Sequence, residues 1–104
     1  MRRQVVWSQS AQDDYLEAIG YIARDNPDAA LRVAGRIEAA GNRLGEFAVG
    51  RRGRVPGTYE KSVAGLPYII AYEVVTLPDG IELIAVLRVI HGARNWPKGN
   101  WPDN

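Results

Sequence analysis

The sequence predicts an α+β domain in which a strand and an α-helical hairpin precede three antiparallel strands. Three observations carry this expectation. Two consecutive stretches repeat their apolar residues at helical spacing and are separated by an Asn-Pro pair. Three later stretches are rich in β-branched residues and are punctuated by turn chemistry. A short β-rich run comes before all of them. At 104 residues the chain fits one domain, because two domains would leave each half too small to bury a core. One domain is expected over residues 1 to 94, followed by a Trp/Pro-rich tail over residues 95 to 104.

Arg3 to Trp7 is short and rich in β-branched and aromatic residues, which reads as a first strand. From Ala11, the residues Tyr15, Ile19 and Ile22, with Leu16 and Ala23 beside them, recur at helical spacing. Ser10 and Asp13 approximate a capping box at the start of that helix, which should end near Asp25. Asn26 supplies a second cap and Pro27 suits a first helical position. Ala30, Val33, Ala34, Ile37, Ala40, Leu44 and Phe47 then form a long apolar stripe, so a second helix is expected to run to about Phe47. The connection is short enough to force an antiparallel hairpin. Gly35, Gly41 and Gly45 each weaken the second helix by about 1 kcal/mol relative to alanine, which predicts frayed or bent last turns.

Residues 48 to 57 hold three glycines, one proline and three arginines without periodicity, and read as a basic loop that contributes little to the core. Strands are expected over Thr58 to Val63, Tyr68 to Val75 and Ile81 to Ile90. Ala64-Gly65-Leu66-Pro67 and Leu77-Pro78-Asp79-Gly80 provide the turns between them. The last strand is apolar on both parities: Ile81, Leu83, Ala85, Leu87 and Val89 on one, Ile84, Val86 and Ile90 on the other. That pattern suits a central strand covered on two faces. Glu82 and Arg88 share the even parity, so one end of that face should carry charge. The hairpin would cover one sheet face, and another protein is the natural cover for the second. The tail, with two Trp-Pro pairs, should be extended.

Hydrophobic residues make up 46% and charged residues 24%, a globular composition remote from that of disordered chains. With no cysteine and only one histidine, disulfides, thiolate sites and a zinc site are excluded. No phosphate-cradling glycine motif is present, and no cofactor is expected. The N-terminus lacks the apolar stretch of a signal peptide, and no run approaches the roughly 20 apolar residues of a membrane span. A soluble, cytoplasmic protein is expected. The net charge of +1 conceals an asymmetry: residues 88 to 104 hold three basic residues and one acidic, and Arg51, Arg52 and Arg54 share one loop.

Ordered pieces of this chain match a known pattern. They are Ala11 to Ala23, Asn26-Pro27 with Ala29-Ala30, Gly50-Arg51-Arg52-Gly53-Arg54, Gly57-Thr58, Pro67 to Tyr72, and Val89-Ile90-His91-Gly92-Ala93-Arg94 followed by Trp96-Pro97. In this order and spacing the sequence, from Trp7 to Pro97, resembles the RelE/ParE toxin superfamily, nearer to its ParE branch. The resemblance implies a bacterial growth-arresting toxin of a type II toxin-antitoxin system, neutralised by a cognate ParD- or RelB-like antitoxin. ParE-like members are associated with poisoning DNA gyrase, whereas RelE-like members cut messenger RNA on the ribosome. Gyrase inhibition is the expectation for this chain, with ribosome-dependent endoribonuclease activity as the alternative.

Cleavage through a 2′-hydroxyl needs a general base, a general acid and cationic stabilisation of the phosphorane. Here His91, Arg88 and Glu60 would supply them, with Glu46 as another base. His91 equally suits a structural role, bonding to backbone at the turn before Gly92. For binding the target or antitoxin, the candidates are Arg51, Arg52, Arg54, Lys61, Arg88, His91, Arg94, Trp96 and Trp101. A localised basic patch suits an acidic antitoxin segment or nucleic acid, and tryptophans in a tail either fold back or meet a partner. The antitoxin is expected on the second sheet face, where apolar residues meet a basic rim. Tyr59 stands where ParE-like relatives often carry an arginine.

Overall fold

The computed structural model describes residues 2 to 48 and 50 to 92; the tail, and with it Arg94, Trp96 and Trp101, lies outside them. In chain order the elements are β1 (Gln4–Trp7), α1 (Gln9–Ala23), α2 (Pro27–Arg43), β2 (Arg51–Arg52), β3 (Tyr59–Ser62), β4 (Tyr68–Thr76) and β5 (Glu82–His91). They form an α+β fold whose five strands lie in the order β1-β5-β4-β3-β2. β1 runs parallel to β5, while the other neighbours are antiparallel.

α1 begins two residues earlier than its apolar pattern suggests, because Ser8 and not Ser10 is the cap. The Ser8 hydroxyl accepts from the Ala11 N–H at 3.0 Å and donates to the Leu87 carbonyl at 2.9 Å. The Ser8 N–H reaches the Val86 carbonyl, also at 2.9 Å. One residue therefore starts the helix and ties it to β5, a contact that local sequence cannot announce. Asn26 caps α2 as expected, its side-chain oxygen accepting from the Ala29 N–H at 3.0 Å.

α2 ends at Arg43 and not at Phe47. Its apolar stripe is cut short because the chain turns at Gly45, whose carbonyl accepts from the Arg3 N–H at 2.7 Å. A Cβ on Gly45 would stand 2.4 Å from the Arg3 carbonyl oxygen, so only glycine fits beneath the first strand. Phe47 is left 58% exposed.

The basic loop contains the short strand β2, which pairs with β3 at Arg51↔Glu60 and Arg52↔Tyr59. The sequence pattern misses it because two residues cannot show an alternation. The hairpin is held by the Gly53 N–H to Thr58 carbonyl bond at 2.8 Å and by the Thr58 hydroxyl donating to Val55 at 2.7 Å.

A β-bulge rearranges the faces of β5. Ala71 pairs with Arg88 but Tyr72 pairs with Val86, so Leu87 is an extra residue. Val89 is thereby moved to the side of Ile84 and Val86, and Glu82 and Arg88 are separated onto opposite sides. Strict parity, which does not allow for a bulge, groups these residues differently. The helix-facing side now presents Ile70, Tyr72, Ile84, Val86 and Val89 to Ala11, Ile37 and Leu44, forming the main core. Complete burial of an Ile, Leu or Val side chain stabilises by about 1.5–3 kcal/mol. Trp7 packs edge-on to Tyr15, with ring centroids 6.0 Å apart.

Tyr15 also joins the two helices, its hydroxyl donating to Glu38. Burial, and then this bond and charge, push the Tyr15 hydroxyl up to about 12. A raised folded-state value favours the native state while the unfolded tyrosine, titrating near 10, is still protonated. That contribution falls as pH rises from about 10 through about 12. Tyr15→Phe is therefore expected to melt with a shallower decline than wild type across this window in a pH series of calorimetric scans. Parallel declines would show that Tyr15 does not couple to folding.

Among the described residues, no helix is long and apolar enough to cross a membrane.

Candidate interaction site

The helix hairpin covers one side of the sheet. Register places Val6, Ile69, Val75, Leu83 and Ala85 on the outer side, together with Ala71, Arg88, Ile90 and Glu60. Ala71 and Ile90 are buried there, with Val55 packed on them, while the other apolar residues of this side retain partial exposure. The arginine hairpin thus supplies local cover through Val55.

The hairpin itself is organised by Glu60. This carboxylate is 3% exposed; it accepts from the Arg54 backbone N–H at 2.8 Å and lies 3.5 Å from Arg51 Nη2 and 3.7 Å from Arg54 Nε. A buried carboxylate needs such partners, because leaving it charged and uncompensated is costly. Arg51 and Arg54 are thereby drawn to the outer side, whereas Arg52 shares the helix-facing side with Tyr59 and Lys61. Tyr59 stacks on Tyr72 at 5.6 Å, filling with a ring the place next to Arg52. Burial is the main cause that pushes the Tyr72 hydroxyl up.

Arg88 is fixed from α1. Its Nε and Nη2 donate to the two oxygens of Asp14 at 2.7 and 3.0 Å, and the Val89 N–H joins them at 2.9 Å. β1 ends at Trp7, opposite Val86, so the β5 edge beyond it needs another partner. Asp14 provides that partner. Nothing in the helical periodicity distinguishes Asp14 from a solvated surface residue, and sequence reasoning passes over it.

His91 pairs in register with Tyr68 on the helix-facing side, the two rings meeting edge-on at 5.4 Å. Both line a cleft of about 520 Å³ between α1 and the end of β5, with Asp14, Glu17, Tyr21 and Arg88, so two of the predicted site residues, Arg88 and His91, meet there. Glu60 and Arg88 share a row across the outer side through Ala71, three strands in succession. The sheet therefore separates His91 from Glu60, and Glu46 forms an exposed pair with Arg2 at 2.7 Å. Among the described residues, no group of three or more acidic or histidine side chains is arranged to hold a metal.

A helical hairpin thus lies on a mixed five-stranded sheet with a basic β-hairpin at one edge. Comparisons with known proteins place this architecture. A family model described as the ParE toxin of the type II toxin-antitoxin system parDE matches residues 5–96. Toxin Y4kP of Sinorhizobium fredii is 37% identical over 93% of this chain and 96% of its own length. Toxin RelE2 of Caulobacter vibrioides is 37% identical over 88% of this chain and 97% of its own. Among solved structures, the chromosomal ParDE system from P. aeruginosa superposes with a TM-score of 0.77 at 20% identity, covering 86% of this chain and 96% of that one. The RelBE2 toxin-antitoxin complex from Mycobacterium tuberculosis gives 0.54 at 21% identity, covering 88% and 99%. The chain belongs to the ParE toxin family of type II toxin-antitoxin systems.

Proposed function

We propose that this chain arrests growth in the bacterial cytoplasm by binding DNA gyrase, and that a cognate antitoxin neutralises it. The observation that carries binding over cleavage is the disposition of the three side chains that nucleolysis would use. A base, an acid and a cation must meet at one phosphate. Glu60 is buried under two arginines on the side of the sheet away from His91, and Arg88, which shares a cleft with His91, is held bidentate by Asp14. The family model that matches is also the ParE one. The contact surface for gyrase is then the arginine hairpin, Arg51, Arg52 and Arg54, with the segment bearing Arg94, Trp96 and Trp101. The ParDE system and the RelBE2 complex that share this fold are toxin-antitoxin pairs, which supports an antitoxin partner.

A supercoiling assay tests this reading. Wild-type protein is expected to inhibit gyrase, and His91→Ala to retain growth arrest. A general acid contributes about 10²- to 10⁴-fold, so a ribonuclease dependent on His91 would lose its toxicity. Ribosome-dependent transcript cleavage that disappears in His91→Ala would overturn the proposal, as would the absence of gyrase inhibition by wild type.

A further inference from the structure

The helical hairpin has an outward surface that the sheet does not cover. The bond between Tyr15 of α1 and Glu38 of α2 sets the relative height of the two antiparallel helices. With that register, Leu16 on α1 and Leu31 on α2 stand about 9 Å apart along the hairpin. They are 63% and 72% exposed. A single exposed leucine needs no explanation, but two on one helical surface form a patch.

The charges on this surface are ordered. Leu16, Glu17, Gly20 and Arg24 follow Asp13 by three, four, seven and eleven residues, so the five share one stripe along α1, and all are exposed. Acid begins the stripe and base ends it. Asp13 accepts from Gln9 Nε2 at 2.9 Å, which leaves its charge uncompensated, and neither Asp13, Glu17 nor Arg24 has an ion pair among the described residues. Nothing lies within 4 Å of an added Cβ at Gly20, so the middle of the stripe is open.

Such a stripe is its own complement when reversed. An antiparallel copy sets Asp13 against the partner's Arg24 at both ends, with Glu17 one turn away, and lays Leu16 over the partner's Gly20. A parallel copy would oppose like charges, Asp13 to the partner's Asp13 and Arg24 to the partner's Arg24. Self-complementarity of this kind defines an isologous two-fold contact, and the like-charge penalty of the other orientation enforces it.

We propose that the chain pairs through this hairpin face with a second copy of itself, α1 lying antiparallel to α1. The outer side of the sheet and the arginine hairpin lie away from this face and stay open in the pair. The 15 residues of α1 span about 22 Å, and two packed helices are about 20 Å wide. The contact therefore falls at the low end of specific interfaces, and the dimer is expected at micromolar concentrations.

Sedimentation of the full chain tests this. Wild type is expected to pass from monomer to dimer within a series from about 1 μM to about 1 mM. Leu16→Asp is expected to raise the dissociation constant about 100-fold, and Leu31→Asp, on the other helix, to act in the same direction. Arg24→Asp makes both end pairs repulsive and is expected to raise it about 10-fold, as is Asp13→Arg. Both exchanges in one chain should restore wild-type pairing. These positions are exposed, so circular dichroism melts of the variants should resemble that of wild type. A chain that stays monomeric throughout overturns the inference, as does a dimer that survives both leucine changes. A double exchange that fails to restore pairing overturns it too. Amide protection of residues 13 to 35 by added antitoxin, in a chain that is monomeric alone, overturns it in favour of that partner.

Discussion

Gly41→Ala is expected to lower the melting temperature, although alanine is the better helix former. Helix propensity alone favours the substitution by about 1 kcal/mol. In the fold, however, a Cβ at position 41 would stand 2.4 Å from Trp7 Cζ2 and 3.1 Å from Trp7 Cη2. Trp7 is not the flexible end of a surface chain. It is fixed between β1, which pairs with β5, and the Tyr15 ring. Overpacking of this kind costs about 1–3 kcal/mol. The net expectation is a loss of about 1 kcal/mol, roughly 4–8 °C in a domain of this size. Gly35→Ala is the internal control: nothing lies within 4 Å of its added Cβ, so propensity acts alone and stability rises by about 0.5–1 kcal/mol. Denaturant melts of both variants check the pair. Equal stabilisation by both would show that Trp7 yields and that α2 is not packed as closely as described.

Replacing Arg51 and Arg54 together with glutamine is expected to destabilise the protein, and adding Glu60→Gln to restore much of the loss. The Arg51 and Arg54 side chains are 69% and 50% exposed, so each pair alone contributes little. Glu60 is the reason the effect is larger. With its side chain 3% exposed, it would keep its charge without a compensating cation. Stripping a fully buried pair costs about 3–5 kcal/mol, and solvent access from the arginine side reduces the expectation to about 1–3 kcal/mol. Glu60→Gln removes the charge while leaving an oxygen for the Arg54 N–H. A double variant as stable as wild type would show that the hairpin is held by its backbone bonds alone. The same geometry bears on function, since loss of toxicity in Arg51 and Arg54 variants mixes folding with binding. Arg52→Gln separates them, because Arg52 shares the helix-facing side and no carboxylate among the described residues pairs with it.

Much of the architecture was legible in the residues. Asn26-Pro27 marks the helix junction, Ile37 and Leu44 fall on a helical stripe that is buried, and β4 and β5 appear at their expected places. The arginine hairpin and its neighbourhood were visible as a concentration of charge. How those charges are shared was not. Glu60 reads in sequence as an acid in a strand, and only its register with Arg51 and its bond to Arg54 make it the centre of the hairpin. The neighbourhood of Arg36 and Lys61 was likewise invisible, because the fold and not spacing along the chain brings them to one cleft.

The sequence by itself determined the order and type of the long elements and the family to which the chain belongs. Those properties are written in local periodicity, in caps and turns, and in motifs read along one dimension. Tertiary structure alone decided that Ser8 and not Ser10 begins α1, that Leu87 is extruded as a bulge, and that Gly41 is required beneath Trp7. It also decided which of the described cations are paired with carboxylates. The physical reason is common to all of these: each depends on groups far apart in the chain, as Ser8 and Leu87 are, whose hydrogen bonds, sterics and charges act only across the space that folding closes.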